Sequence, residues 1–214
     1  MKIALIAPTG EIGRYIAQEA HLRGHEVTGI ARRTTNLPPE LAGIRCVGVG
    51  SMRDEHELAQ LIEGHDVLVS ALGFVEKDND QTILPDTVNA MLGAVRKTGV
   101  KRMVMVGGAG TLLVAPRILF VDTDAFPPAF KPFAEGHSKL MPILKSVGDV
   151  DWLVFVPAAE IGPGAKIGGY RMGANVLIID QLGRSRISFL DYASAFVDEL
   201  EQHRFSQTFA TVAY

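Results

Sequence analysis

A chain of 214 residues, 47% hydrophobic and 21% charged, can bury a core as a single domain without a metal or disulfide staple. Its formal net charge of -3 excludes the basic balance of nucleic-acid binders and of proteins drawn to anionic membranes. The single cysteine, Cys46, cannot form an internal disulfide, no apolar run approaches roughly 20 residues, and no leader is expected before the first strand; a cytoplasmic protein is expected.

The first apolar run, residues 2–7, reads as a strand. A helix is expected over about 11–23, because Ile12, Tyr15, Ile16 and Ala20 recur at helical spacing and Gly24 stops the pattern. Residues 25–31 read as a second strand; after a Pro38-Pro39 loop, residues 44–49 read as a third. A helix over about 54–62 leads to a nearly all-apolar strand at 66–70, the composition of a strand covered on both faces. A polar loop (Glu76 to Asp80), a long helix at about 82–98 and a strand at 101–106 follow. Strands alternating with helices at this rhythm predict a parallel α/β sheet with right-handed crossovers.

The rhythm breaks at 107–132, a glycine- and proline-bearing segment whose Phe120, Phe126 and Phe130 read as exposed. It is expected to form a mobile loop over the carboxyl edge of the sheet, where such folds bind ligands. A helix at about 133–147 and a strand at 151–156, ended by Pro157, come next. Residues 158–174 read as glycine-rich loop, with short strands at 175–180 and 185–188, a helix at 190–202 and a last strand at 207–213. The prediction is one domain over 1–214, a Rossmann-type doubly wound parallel sheet, with 158–214 adding a small substrate-side lobe.

Ala7-Pro8-Thr9-Gly10-Glu11-Ile12-Gly13 joins the first strand to the first helix and is a GxxGxxG pattern with alanine in the first glycine position. Gly10 lets backbone approach a pyrophosphate, and Gly13 lets the helix pack close to the sheet. Thr9 can cap the helix or donate to phosphate. Glu11 suits the helix dipole but repels phosphate, so it should point away. Ala7, Thr9, Gly10, Glu11, Ile12 and Gly13 are therefore the first cofactor-binding candidates. The second strand ends in Arg32 and Arg33, which suit a ribose 2′-phosphate where a carboxylate would suit free hydroxyls. NADP(H) is expected in preference to NAD(H).

The chain resembles the atypical short-chain dehydrogenase/reductases of the NAD(P)H-binding, NmrA-like type, and within them the small bacterial proteins provisionally described as NADH-flavin reductases. The resemblance spans almost the whole chain. It rests on APTGEIG, GVGSMRD at 48–54, VSALG at 69–73, VMVGGAGTL at 104–112, DWLVFVPAAEIGPG at 151–164, GRSRISFLDYA at 183–193 and TFATVAY at 208–214. It implies that Ser51 and Met52 border the adenine, with Ser51 standing where relatives commonly carry aspartate. It implies that Ser70, Ala71, Leu72 and Gly73 line the ribose and nicotinamide side. Pro157 is counted with the cofactor-binding residues.

Typical short-chain dehydrogenases carry a Tyr-x-x-x-Lys pair on the helix after the fifth strand. Here the comparable stretch is Glu135-Gly136-His137-Ser138-Lys139, with the lysine present and glutamate in the tyrosine position. A carbonyl reductase needs a proton donor near the substrate oxygen, so the missing tyrosine speaks against ordinary alcohol dehydrogenase chemistry. The catalytic candidates are Lys139 as a ribose contact, His137 as a proton donor at neutral pH, and Thr111 as a hydroxyl that orients a carbonyl or merely caps its loop. Tyr170 is a further candidate facing the nicotinamide. The six histidines fall into no metal-binding pattern, and there is no GxSxG nucleophile elbow. The reading is an NAD(P)H-dependent reductase of a flavin- or quinone-like acceptor. The alternatives are a non-catalytic NADP-binding redox sensor and, more weakly, a sugar epimerase or dehydratase. The expected partner is a small-molecule substrate, with no nucleic acid and no membrane, and the protein is expected to be a monomer or homodimer.

Overall fold

The computed structural model describes residues 1–73 and 82–214. The polar loop expected at Glu76 to Asp80 lies outside the described residues. The first half alternates as the pattern predicts: β1 (Lys2–Ile6), α1 (Glu11–Leu22), β2 (Glu26–Ala31), β3 (Arg45–Gly48), α2 (Glu55–Ile62), β4 (Val67–Ser70), α3 (Ile83–Thr98) and β5 (Arg102–Val106). Then come the short β6 (Leu113–Ala115) and β7 (Ile118–Leu119), helices α4 (Lys131–Ser138) and α5 (Leu140–Lys145), and β8 (Asp151–Val156). The chain closes with β9 (Glu160–Gly162), β10 (Arg171–Gly173), β11 (Arg186–Ser188), α6 (Phe189–Gln202) and β12 (Thr208–Ala213).

Among the described residues, eight strands form one sheet in the order β10-β12-β8-β5-β4-β1-β2-β3. All neighbours in it are parallel except β10, which runs antiparallel to β12. Side chains alternate across a strand, so each strand feeds two cores. Along β1, Ala4 and Ile6 join Leu58, Ile62 and Met91 of α2 and α3 on one face. Ile3 and Leu5 join Ile16 of α1 and Phe196 of α6 on the other. The sheet is thus covered on both sides, which is why its central strands read as unbroken apolar runs. The Rossmann-type doubly wound sheet is the fold the pattern called for.

Three expectations are corrected. The 107–132 segment is folded rather than an open loop. It contains 3-10 turns at Ala109–Thr111, Phe120–Asp122 and Pro128–Phe130 and the antiparallel β6–β7 pair. Phe126 is buried, set edge-on to Phe120 and against Gly110; Phe120 is half-buried, and of the three phenylalanines only Phe130 is exposed. The helix expected over 133–147 is broken at Lys139. Pro142 lacks an amide and its ring crowds the carbonyl of Ser138, so α4 stops there and α5 starts anew. The strand expected at 175–180 is absent, and the sheet edge is taken by Arg171–Gly173 instead. Residues 175–177 are drawn to the β6–β7 pair by the Leu113–Val176 bridge and the Leu113 and Leu177 amides.

Of residues 158–214, β10 and β12 extend the main sheet, and α6 packs on its α1 face. The part that stands apart is the parallel β9–β11 pair.

The β1–α1 turn holds one non-glycine residue in the left-handed region: Ala7, at φ 59°. An L-residue there costs roughly 1–2 kcal/mol, and a glycine gives part of that back through its freer unfolded chain. Ala7→Gly is expected to stabilise the protein by about 0.5–1 kcal/mol. A rise in the urea midpoint checks it; a fall would mean that the partly buried methyl contributes more than the strain removes.

Candidate functional site

Because β8, β5, β4, β1, β2 and β3 are parallel, their carboxyl ends share one edge of the sheet. Nearly every cofactor candidate from the sequence follows one of those ends. In sheet order these are Pro157 after β8, Ser70 to Gly73 at β4, Ala7 to Gly13 at β1, Arg32 and Arg33 at β2, and Ser51 and Met52 beyond β3. Connections lead to opposite sides of β1 and β4, so this edge has the crevice where doubly wound sheets bind dinucleotides.

The turn after β1 is shaped for close backbone approach. A Cβ on Gly13 would lie 2.2 Å from the carbonyl oxygen of Ala7 and 3.2 Å from the Ala71 Cβ. Only glycine lets α1 pack against both the turn and the end of β4. The N-cap of α1 is Gly10, in extended conformation, and no side chain caps it. Thr9 is exposed and does not cap the helix. The uncapped amides of the first turn, which includes Glu11, Ile12 and Gly13, are donors of the kind that bind pyrophosphate. The Glu11 carboxylate pairs with Arg14, 3.0 Å away. These residues fit a dinucleotide. Pro8 is buried against β2, where Gly29 makes room: a Cβ there would lie 2.8 Å from the Pro8 ring and 2.9 Å from the Cys46 sulfur. The sequence reading did not single out Gly29.

Arg32 and Arg33 are both exposed where β2 ends. Ser51 is exposed and Met52 partly buried. The Ser51 hydroxyl oxygen accepts from the Arg53 amide at 3.2 Å. Glu57, on the first turn of α2, was also missed: its carboxylate accepts from the Gly50 amide at 2.8 Å and the Ser51 amide at 3.1 Å. At β4, Ser70 is buried and its hydroxyl oxygen accepts from the Leu72 amide at 3.3 Å, which fixes the Ala71-Leu72 turn.

The catalytic candidates divide by helix face. Glu135 and Lys139 are four apart and both exposed, while His137, two residues from each, is buried on the opposite side. The His137 ring lies against Gly108, just past β5; a Cβ on Gly108 would be 3.2 Å from it. Its Nδ1 is 2.9 Å from the Phe133 carbonyl oxygen, which can only accept, so Nδ1 carries the proton and Nε2 is left as an acceptor. Burial pushes the His137 pKa below the usual histidine range, against the opposing pull of that hydrogen bond. Thr111 is 1% exposed and its hydroxyl donates to Gly108 O at 2.9 Å, the capping geometry of a turn. Tyr170 does not join this edge. Its hydroxyl donates to Asp198 of α6 at 2.5 Å, and burial together with that carboxylate pushes its pKa up to about 12. Asp198 in turn pairs with Arg23, and this charged network holds Tyr170 on the α1–α6 side. Tyr192 is fully buried in α6 and donates to the Phe155 carbonyl. A separate cleft of about 420 Å³ opens beside β9 and β11, lined by Ile161, Pro163, Ile167, Ile187 and Tyr214 among others, and by none of the cofactor candidates.

A glycine turn feeding an uncapped helix at the carboxyl edge of a doubly wound sheet defines a dinucleotide-binding protein. The chain belongs to the NAD(P)H-binding family, whose model matches residues 8–202. It is 32% identical over 205 residues to the uncharacterized protein YwnB of Bacillus subtilis (strain 168), covering 94% of this chain and 92% of that one. Among solved structures, a Burkholderia pseudomallei protein provisionally described as exported is 43% identical at TM-score 0.90, with 100% of both chains covered. A Bacteroides thetaiotaomicron protein provisionally named an epimerase is 31% identical at TM-score 0.90, covering 100% of this chain and 96% of that one. A Streptococcus pneumoniae protein provisionally named an NADH-flavin reductase is 28% identical at TM-score 0.87, covering 100% and 99%. The cofactor is therefore a nicotinamide dinucleotide. Among the described residues no helix is long and apolar enough to cross a membrane.

The neutral state of His137 has a thermodynamic consequence. Unfolded, its ring takes up a proton below about pH 6.5; folded, it resists protonation. Its contribution to stability is intact above that pH and is lost as pH falls towards the depressed folded value. Urea midpoints at pH 7.5 and 5.5 are expected to drop further for the wild type than for His137→Gln. Equal drops would mean that the ring titrates normally.

Proposed function

We propose that the protein is an NADPH-dependent oxidoreductase that passes hydride to a small planar acceptor of the flavin or quinone kind. The observation that carries this reading is His137: the one buried titratable side chain of the Glu135–Lys139 stretch is neutral, and its only proton is given to Phe133. A ring in that state is a hydrogen-bond acceptor and a poor acid. Glu135, in the tyrosine position, is exposed to solvent, and no tyrosine hydroxyl stands there. Reduction of an acceptor whose product anion is already stable needs no dedicated acid. When bound, the nicotinamide supplies the hydride. The chain's own tasks are then to hold and orient two flat rings and to exclude water.

The residues divide these tasks. The α1 amides meet the pyrophosphate and Arg32 with Arg33 meets a 2′-phosphate. Ser70 to Gly73 and Pro157 would border the ribose and nicotinamide side, and the exposed Lys139 would serve as a ribose contact. Thr111 and His137 shape the wall beyond β5. The relative named as an NADH-flavin reductase supports this direction. The relative named as an epimerase favours sugar chemistry. That chemistry calls for an acid–base group at the sugar, and residues 158–214 put two of their strands into the main sheet and leave little for a nucleotide-sugar lobe. A non-catalytic NADP-binding sensor accommodates the same missing acid. The setting that fits is the cytoplasm, where the free thiol of Cys46 stays reduced, with a small molecule as partner and a monomer or homodimer as the working unit.

Purified protein with NADPH and a panel of flavins and quinones, followed by nicotinamide absorbance, is expected to turn over with at least one acceptor. Tight NADPH binding without turnover across the panel would establish the sensor instead. NADPH is expected to bind more tightly than NADH, and Arg32→Ala with Arg33→Ala to weaken NADPH about tenfold or more while leaving NADH nearly unchanged. Equal or tighter NADH binding by the wild type would overturn the NADP preference.

A further inference from the structure

We propose that His137 sets the specificity for the electron acceptor: its Nε2 accepts a hydrogen bond from a ring N–H of the bound molecule, so the site takes an isoalloxazine and rejects a quinone. The inference rests on the reductase reading above and separates the two acceptor classes which that reading leaves together.

The His137 side chain is buried but not closed off. It is 8% exposed, and the Cβ, Cγ and Nδ1 end of the ring packs on Gly108. Nδ1 is engaged by the Phe133 carbonyl, four residues back on the same helix, while Nε2 has no partner among the described residues. Nor does Nε2 belong to the side-chain atoms that are both sealed from solvent and without a hydrogen-bond partner. It is therefore unpartnered and still reachable. Burial disfavours protonation, so its lone pair is free. The ring stands just past the end of β5, whose neighbours in the sheet are β4 and β8. Those strands lead into Ser70 to Gly73 and Pro157, the residues expected beside the nicotinamide. An acceptor laid against the nicotinamide occupies the same three strand ends.

A ligand that covers Nε2 takes it out of water, and that loss is offset only if the ligand brings a donor. An isoalloxazine brings one: its N3–H lies between two ring carbonyls and points outward in the ring plane. A quinone brings carbonyl oxygens alone. With the Nδ1 proton already given to Phe133, the imidazole has no second proton to offer them, and lone pair meets lone pair. Thr111 does not supply the donor in its place, because its hydroxyl is given to the Gly108 carbonyl. The bond moves no proton. N3–H is present before and after the isoalloxazine is reduced, so His137 selects and orients the ring without serving as its acid.

The test compares lumiflavin with 3-methyllumiflavin, which lacks the N3 proton, as acceptors of hydride from NADPH. The purified protein is assayed at steady state, and the uncatalysed rates with free NADPH set the baseline. The wild type is expected to reduce lumiflavin with a kcat/KM about tenfold or more above that of the N-methyl form. His137→Phe fills the space of the ring with no acceptor and is expected to bring the two within about twofold. His137→Gln, whose amide oxygen can accept, is expected to keep part of the preference. Circular dichroism melts verify that each variant is folded, and the wild-type comparison needs no variant. Equal use of the two flavins by the wild type, or turnover with quinones alone, would overturn the role of His137 and leave the reductase reading standing. A preference that persists in His137→Phe would trace it to the bulk of the methyl group and overturn the role as well. So would a loss confined to NADPH binding, which would put the bond on the nicotinamide carboxamide. NADPH binding without turnover of any flavin or quinone would overturn the reductase reading and this role with it.

Discussion

The distance between Gly13 and the Ala7 carbonyl sets the rest of the site. With no Cβ to hold it off, α1 packs against the turn that delivers it, and its first amides reach the carboxyl edge of the sheet. Any side chain at 13 would meet a backbone oxygen, which cannot swing away. Ala71, whose amide is bonded to the Ile6 carbonyl where β1 and β4 pair, lies alongside the same contact. Around that fixed point the strand order does the positioning. Residues far apart in sequence, from Pro157 to Met52, stand along one line because six parallel strands end on the same side.

Chemistry at the two ends of this line follows from charge and burial. At the β5 end, helix α4 turns His137 inward, where loss of water favours the neutral ring and the Phe133 carbonyl fixes its tautomer. At the β3 end, Arg32, Arg33 and Ser51 are exposed, and the half-buried Glu57 carboxylate is oriented by backbone donors. On the proposed reading, the nicotinamide would meet a neutral, acid-poor wall and the adenosine the charged end. This is a division suited to holding a cofactor firmly by one half while its other half reacts.

Much of this was legible in the sequence wherever the cause is local. The glycine turn, the apolar strands covered on both faces and the strand at 151–156 all appear where spacing and composition place them, because neighbouring residues decide them. What escaped was decided by distant contacts. Nothing local says that Leu113 will meet Val176, so the 107–132 segment read as a loop and residues 175–180 as a strand. Phe126 read as exposed because Gly110 and Phe120, which enclose it, are close only once the chain has turned back. Tyr170 was placed at the nicotinamide because the carboxylate that takes its hydroxyl lies 28 residues later on a helix face. The break at Lys139 was the exception: its cause, Pro142, is local, and the expectation of one helix over 133–147 overlooked it. Glu57 looked like any acid in the first turn of a helix, and its grip on Gly50 and Ser51 depends on how α2 leans over the end of β3.

The place of β3 at the margin of the sheet has a consequence for motion. It pairs on one side only, with β2, and its residues are just half buried. Segments with few apolar contacts and one-sided backbone bonding open first in local unfolding. A dinucleotide laid along the carboxyl edge would reach from β1 to this margin, and would stabilise the paired edge to the extent that it binds that form better than the opened one. By that linkage, binding energy gained at the site would reach the strand with the fewest bonds of its own.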